Sequence, residues 1–251
     1  IKINDGAQDG ATITYTITIA DANDQTPTYT ATSTTPTVTE GATAVDTNVA
    51  ITDTDTGDSN TCTKGGADAD LFTCSVSATA YSVAFSSAPD YDSGTACDAG
   101  NSCTVTIKIN DGAQDGATIT YTITIADAND QTPAVTVDSS YATAEATTVF
   151  QTFTIVDTDT TGTYGCTLGG ADSAAFSKTV TGKNCVVRWD DAPDYDAAHA
   201  DANGDGTYEL TIAFTDGTNN LGAQSTDVTV TDVNDQTPAV TVDESYATAE
   251  A

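Results

Sequence analysis

Carboxylates set in short recurring motifs are the residues of this sequence best suited to chemistry. Glu40 stands in TEGA, Asp53 and Asp55 in DTDTG, Asp90 and Asp92 in APDYD, Asp111 in NDG, and Asp127, Asn129 and Asp130 in DANDQTP. A second set follows as Glu145, Asp157 and Asp159, Asp194 and Asp196, Asp216, then Asp232, Asn234 and Asp235. An earlier copy of the last motif supplies Asp21, Asn23 and Asp24. Side-chain oxygens gathered where strands meet loops suit a hard cation that takes about six to eight oxygen ligands, and calcium is the first candidate. The competing reading is that these Asp residues form turns and solvated loops, which the residue type also favours.

Catalytic arrangements are scarcer. Paired carboxylates such as Asp194 and Asp196 could serve glycoside hydrolysis, but their recurrence in each repeat favours a shared structural role. His199 is the only histidine, so a Ser/His/Asp site could exist in one copy at most, and a surface-loop histidine is the simpler reading. No enzyme activity is expected. Trp189 and Tyr195 could form a sugar-stacking platform, against which stands the ordinary role of a strand Trp in a core. Thr14, Thr16 and Thr18, and again Thr120, Thr122 and Thr124, alternate along strands. Such rows suit an ice-binding surface as well as plain β-propensity on a wet face, and together with the aromatic pair they leave a carbohydrate- or ice-binding module on the same scaffold as the alternative function.

The elements that must position these groups are β-strands. The chain of 251 residues carries 37 Asp plus Glu against 6 Lys plus Arg, a net charge of -31, and 32 of the acids are Asp, a poor helix former. That charge repels nucleic-acid phosphate and anionic membrane surfaces alike, and its self-repulsion asks for bound cations or high ionic strength. No apolar run is long enough for a membrane span. Six Cys, no CxxC pair and no Met read as disulfides formed in an oxidising, extracellular space. The abrupt opening at Ile1 reads as an internal piece of a longer secreted protein. No Asn-x-Ser/Thr acceptor for N-glycosylation occurs.

Ile1 to Pro27 recurs unchanged as Ile107 to Pro133, an offset of 106, and the segment after Ala128 is echoed after Val233 at an offset of 105. That period is too long for a solenoid and suits one small domain per repeat. Cutting after each NDQTP gives the C-terminal strands of a preceding repeat (1–27), full repeats at 28–133 and 134–238, and the first strand of a following repeat (239–251). Val105, Ile107 and Ile109, then Ile119, Tyr121, Ile123 and Ile125, alternate with polar residues as half-buried strands do. Further strands are expected near 44–51, 71–76, 80–85, 150–156, 184–189 and 208–214. Strands at this spacing, punctuated by Gly, Pro, Asn and Asp, predict an all-β, seven-strand sandwich.

The carboxylate array together with GGADADLF and GGADSAAF resembles cadherin repeats, and in particular microbial extracellular cadherin-like tandem repeats. The resemblance covers both full repeats. It implies tandem Greek-key sandwiches, cadherin- or immunoglobulin-like, with calcium between successive domains and a structural or adhesive role in a cell-surface rod or fibre. It implies that the junction at Asp127 to Asp130 draws Glu40, Asp90 and Asp92 from one repeat and Asp157, Asp159 and Asp216 from the next. The partners implied are other repeats of the same chain through calcium, self-association into fibres, or a surface receptor or glycan. Gln131 departs from the family's linker, which usually has a second Asn there.

Two local features remain. Asp201, Asn203, Asp205 and Gly206 match the start of an EF-hand-type calcium loop with Glu209 at its ninth position, but Ile212 falls where the closing Glu belongs. A polar turn is the alternative. The corresponding loop of the first repeat runs from Cys97 to Cys103, where a disulfide could replace the cation. Cys62 and Cys166 occupy equivalent positions, whereas Cys74 and Cys185 do not. The second repeat allows one internal pairing and the first allows three, of which Cys62 with Cys74 and Cys97 with Cys103 keeps both loops short. Pairing between chains also stays open.

Overall fold

The computed structural model describes residues 1–57, 59–94, 96–97, 100–197 and 201–241. Two compact units follow one another, Ile1–Ala128 and a second beginning at Asn129. Apart from the 3-10 turns Ala69–Leu71 and Ser173–Ala175, the regular structure of the described residues is strand. This follows from a sequence rich in Thr, Val and Ile and broken often by Gly, Asn and Asp.

The first unit contains β1 (Thr28–Tyr29), β2 (Thr37–Thr39), β3 (Ala44–Thr52), β4 (Thr61–Gly65), β5 (Phe72–Val76), β6 (Ala80–Phe85), β7 (Ser102–Asn110) and β8 (Ile119–Ala126). They form two four-stranded sheets, β1-β3-β6-β5 and β2-β8-β7-β4. β1 and β2 are the two halves of one leading strand that changes sheets, so the expected seven strands are present with the first one split. β2 runs parallel to β8, while β3 to β4 and β4 to β5 cross between the sheets in Greek-key fashion. Period-two patterning turns one face of each sheet inward. Val105, Ile107 and Ile109 of β7, Tyr121, Ile123 and Ile125 of β8, and Tyr81, Val83 and Phe85 of β6 join Phe72 in one core. Each such side chain contributes roughly 1.5–3 kcal/mol on leaving water.

The second unit repeats the plan with β9 (Ser140–Ala144), β10 (Val149–Thr154), β11 (Gly165–Gly169), β12 (Phe176–Thr181), β13 (Asn184–Trp189), β14 (Thr207–Thr215) and β15 (Asn220–Thr231). Its sheets are β10-β13-β12 and β11-β14-β15-β9, and an isolated Ala134–Val156 bridge stands where β1 lies in the first unit. Phe153, Phe176, Trp189, Tyr208, Leu210, Ile212 and Phe214 fill the core.

Three disulfides form: Cys62–Cys74, Cys97–Cys103 and Cys166–Cys185. The first joins β4 to β5 and the third joins β11 to β13, so each staples the two sheets of its unit. Their different partners have a packing cause. Phe72 pairs with Phe85 and Val76 with Tyr81, while Phe176 pairs with Trp189 and Val180 with Cys185, so Cys185 occupies the place of Tyr81. In the first unit that place belongs to a buried polar chain. Tyr81 Oη lies 2.9 Å from Tyr121 Oη, which donates to Asp46 Oδ2 at 3.0 Å. The Thr32 N–H donates to the same carboxylate oxygen at 2.9 Å. Burial, reinforced by Tyr81 and Asp46, pushes the Tyr121 hydroxyl far above its ordinary range.

Candidate metal centres at the poles of each unit

At the N-terminal pole of the first unit, the preceding linker packs on the loops that follow β3 and β7. Asp55 Oδ2 accepts the N–H groups of Asp24 and Gln25 at 2.7 and 2.6 Å. Asp21 Oδ2 accepts from Thr56 N at 2.8 Å and from its hydroxyl at 3.0 Å. Asn23 Nδ2 donates to the Asp111 carbonyl at 3.2 Å. Asp111, 1% exposed, accepts from Ala113 and Gln114 N–H through Oδ1, and the Gln114 and Ala113 bonds hold its carboxyl below the usual range. Asp53 Oδ1 takes the Asp55 N–H. Asn23 Oδ1, Asp53 Oδ2 and Asp111 Oδ2 are then left buried without a donor. Acceptor-only oxygens in that condition fit a cation and are unfavourable without one.

The second unit repeats this pole. Asn129 Nδ2 donates to the Asp216 carbonyl at 3.3 Å, and Gln131 N–H donates to Asp159 Oδ2 at 2.9 Å. Asp157, Asp159 and Asp216 each bring an oxygen within 4.8 Å of the other two. Burial opposes ionisation of Asp216, but N–H groups of Asn219 and Thr218 outweigh it and keep the carboxyl low. Asn219, which the sequence alone did not single out, ties the set together by donating to both Asn129 Oδ1 and Asp216 Oδ2 at 3.2 Å. Gln131, the departure from the cadherin linker, donates through Nε2 to Asp130 Oδ1, as Gln25 does to Asp24 and Gln236 to Asp235. The Gln thus orients its neighbouring carboxylate.

The C-terminal poles are built around one buried Glu. Glu40 accepts Tyr91 N–H at 2.6 Å and Ala128 N–H at 2.8 Å, and Glu145 accepts Tyr195 N–H at 2.8 Å and Val233 N–H at 2.5 Å. One carboxylate in each unit therefore ties the APDYD loop to the outgoing linker. In the first unit Glu40 and Asp92, and likewise Asp92 and Asp127, have oxygens within 4.8 Å, whereas Asp90 accepts Ser93 N–H within its own turn. In the second unit Glu145, Asp194 and Asp196 meet within the same distance. Partial desolvation of this exposed carboxyl, then the charges of Asp232 and Glu145, raise Asp196 above its ordinary value. Asn234 and Asp235 lie on the exposed segment after β15.

GGAD contains buried carboxylates whose role the sequence reading missed. Asp68 Oδ2 accepts Thr104 N–H at 2.6 Å and Asp172 Oδ2 accepts Glu209 N–H at 2.7 Å, clasping the turn to β7 and β14. Gly66 and Gly170, at φ of +96° and +98°, allow this approach, since a Cβ would meet the Thr104 and Glu209 carbonyl oxygens at 2.9 and 2.4 Å. The repetition of GGAD was the available signal.

Trp189 is a core residue, 5% exposed, with its ring centroid 4.2 Å from that of Phe176 and 4.9 Å from that of Tyr208. Thr120, Thr122 and Thr124 line the outer face of β8, but in the second unit the corresponding face of β15 carries Ser225, Asp227 and Thr229, so the Thr row is not repeated. His199 lies outside the described residues. Among the described residues no helix is long and apolar enough to cross a membrane.

No family model matches the sequence, and no curated protein does. Solved structures do. Protocadherin gammaB7 EC3-6, in its cis-dimer structure, is similar with a TM-score of 0.58 and 17% identity over 84% of this chain and 49% of that one. Mouse cadherin-23 EC22-24 gives 0.59 and 22% over 84% and 68%, and human protocadherin-24 EC1-2 gives 0.56 and 18% over 82% and 99%. The chain thus spans about half of the protocadherin gammaB7 structure. With two sheets, a split leading strand and carboxylates gathered at both poles, the fold of this chain is that of cadherin extracellular repeats.

Proposed function

We propose that this chain is a segment of a calcium-rigidified extracellular rod or fibre, structural or adhesive, whose repeats run 28–133 and 134–238. Its role on this reading is mechanical rather than catalytic, and its partners are neighbouring repeats, further copies of the chain, or a surface receptor or glycan. The observation that carries the proposal is the set of buried side-chain oxygens without donors at the first unit's N-terminal pole, Asn23 Oδ1, Asp53 Oδ2 and Asp111 Oδ2. Oxygen-only ligands of this number and charge favour calcium over softer-ligand metals. When bound, the cation supplies the positive charge that the carboxylates lack. Within the first unit Glu40 accepts the Ala128 N–H, and within the second Asp159 accepts the Gln131 N–H and the Asp216 carbonyl accepts from Asn129. Three disulfides support the extracellular setting.

Small-angle scattering in calcium and in chelator tests this reading. We expect a larger maximum dimension in calcium, with β-structure by circular dichroism retained in both conditions. Asp130→Ala should remove much of the difference. Superimposable scattering curves would sink the proposal.

A further inference from the structure

Between β13 and β14 the second unit carries a carboxylate loop that neither pole uses. Asp201 is 8% exposed, and its Oδ2 accepts the N–H groups of Asp205 and Gly206 at 2.7 and 3.1 Å. The carboxylate therefore faces the inside of the loop. Its other oxygen, Oδ1, is buried and has no hydrogen-bond donor. Asn203 Nδ2 donates to both Asp205 Oδ2 and Glu209 Oε1 at 3.1 Å, so a single neutral amide draws two carboxylates together. Asn203 Oδ1 converges with Asp201 Oδ2 on the same Asp205 N–H, at 3.0 and 2.7 Å. The twelfth position of the motif, Ile212, is 0% exposed in the core and offers no ligand. From outside the loop, Asp172 accepts Ala202 N–H and Glu209 N–H instead, clasping both ends.

We infer that this loop is a divalent-cation site belonging to the second unit alone, taking calcium through Asp201, Asn203, Asp205 and Glu209, with Asp172 fixing the loop from behind. A buried carboxylate oxygen without a hydrogen-bond donor is costly, so an oxygen-seeking cation is the ligand that answers the deficit. The first unit supplies the comparison. There Thr104 stands where Glu209 stands, Asp68 clasps it in the same way, and the loop is closed by Cys97–Cys103. One repeat closes this loop covalently and the other ionically.

Calcium titration of the whole chain followed by amide correlation spectroscopy tests the site independently of the poles. The Gly204 and Gly206 amides are expected to shift and saturate, while the Gly100 amide in the disulfide-closed loop stays in place. Equilibrium dialysis should then find one fewer calcium per chain in Asp201→Asn/Asp205→Asn than in the unaltered protein. Asp216→Asn, a pole variant, should leave the Gly204 and Gly206 shifts intact. Stationary Gly204 and Gly206 amides in the unaltered chain overturn the inference whether or not the double variant folds. So does an undiminished calcium count in a folded double variant.

Discussion

Glu40 and Glu145 each reach two backbone N–H groups because the next residue turns the chain left-handed. Gly41 has φ +76° and Ala146 has φ 60°, and their N–H groups donate to the Pro89 and Pro193 carbonyls. The space around Gly41 is open, so the difference between the two residues is one of backbone preference rather than crowding. A non-glycine residue in this region costs roughly 1–2 kcal/mol, partly offset by a stiffer unfolded chain. Gly41→Ala should therefore destabilise the first unit by about 1 kcal/mol, and Ala146→Gly should stabilise the second by about 0.5–1 kcal/mol. Denaturant unfolding checks both, and equal effects of the same sign would contradict the argument. Asp196 gives a further residue-scale expectation. Partial desolvation and neighbouring acids disfavour its charge, so Asp196→Asn should raise the melting temperature in chelator and weaken calcium binding. A variant that melts lower in chelator would refute it.

Among the elements, the two sandwiches hold their sheets together by different means at one place. The second unit uses Cys166–Cys185 across β11 and β13, enclosing a sequence separation of 19. Chain entropy puts that bridge at about 3 kcal/mol, so replacing both cysteines by Ala should lower unfolding free energy by roughly that amount. The first unit has Tyr81, Tyr121 and Asp46 there. Tyr121→Phe leaves Asp46 with the Thr32 N–H but without its buried hydroxyl donor, at a cost of about 1–3 kcal/mol. Denaturation midpoints decide it, and a change within error would mean that water replaces the hydroxyl. The sequence offered Cys166–Cys185 as the second repeat's one internal pairing, whereas the Tyr81–Tyr121–Asp46 chain could not be read from strand patterning, which places only the parity of side chains on the inner face.

For the whole molecule, a net charge of -31 makes folding an electrostatic problem. Without calcium the carboxylates at the poles repel one another, and monovalent salt should screen them over about 8–10 Å. The melting temperature in chelator is expected to rise with sodium chloride, and to depend much less on it in saturating calcium. The same salt slope in both conditions would show that the repulsion is not located at the pole carboxylates. The positions of the carboxylates at the poles were legible in the sequence because they recur at a fixed period. Asn219, Asp68 and Asp172 were not, because their parts depend on which backbone they meet across the sandwich.

One sequence stands in this chain twice and separates what is local from what is tertiary. In both copies the NDGAQDG turn forms in the same way. Asn4 bridges Asp9 as Asn110 bridges Asp115, and Lys2 pairs with Asp9 as Lys108 does with Asp115. Gly6 and Gly112 N–H groups bond to the side chains of Asn4 and Asn110 at 2.7 and 2.8 Å. These contacts span a few residues, so the sequence by itself determines them. The flanking segments differ completely. In the second copy they are β7 and β8, with Ile107, Ile109, Tyr121 and Ile123 at 0% exposure, while in the first Ile13, Tyr15, Ile17 and Ile19 are 49%, 65%, 85% and 91% exposed and no strand is assigned. A strand needs a hydrogen-bonding neighbour and a facing layer to cover its apolar side. The second copy finds β2 and β4 beside it and the β1-β3-β6-β5 sheet across from it, and only that tertiary setting makes it a strand.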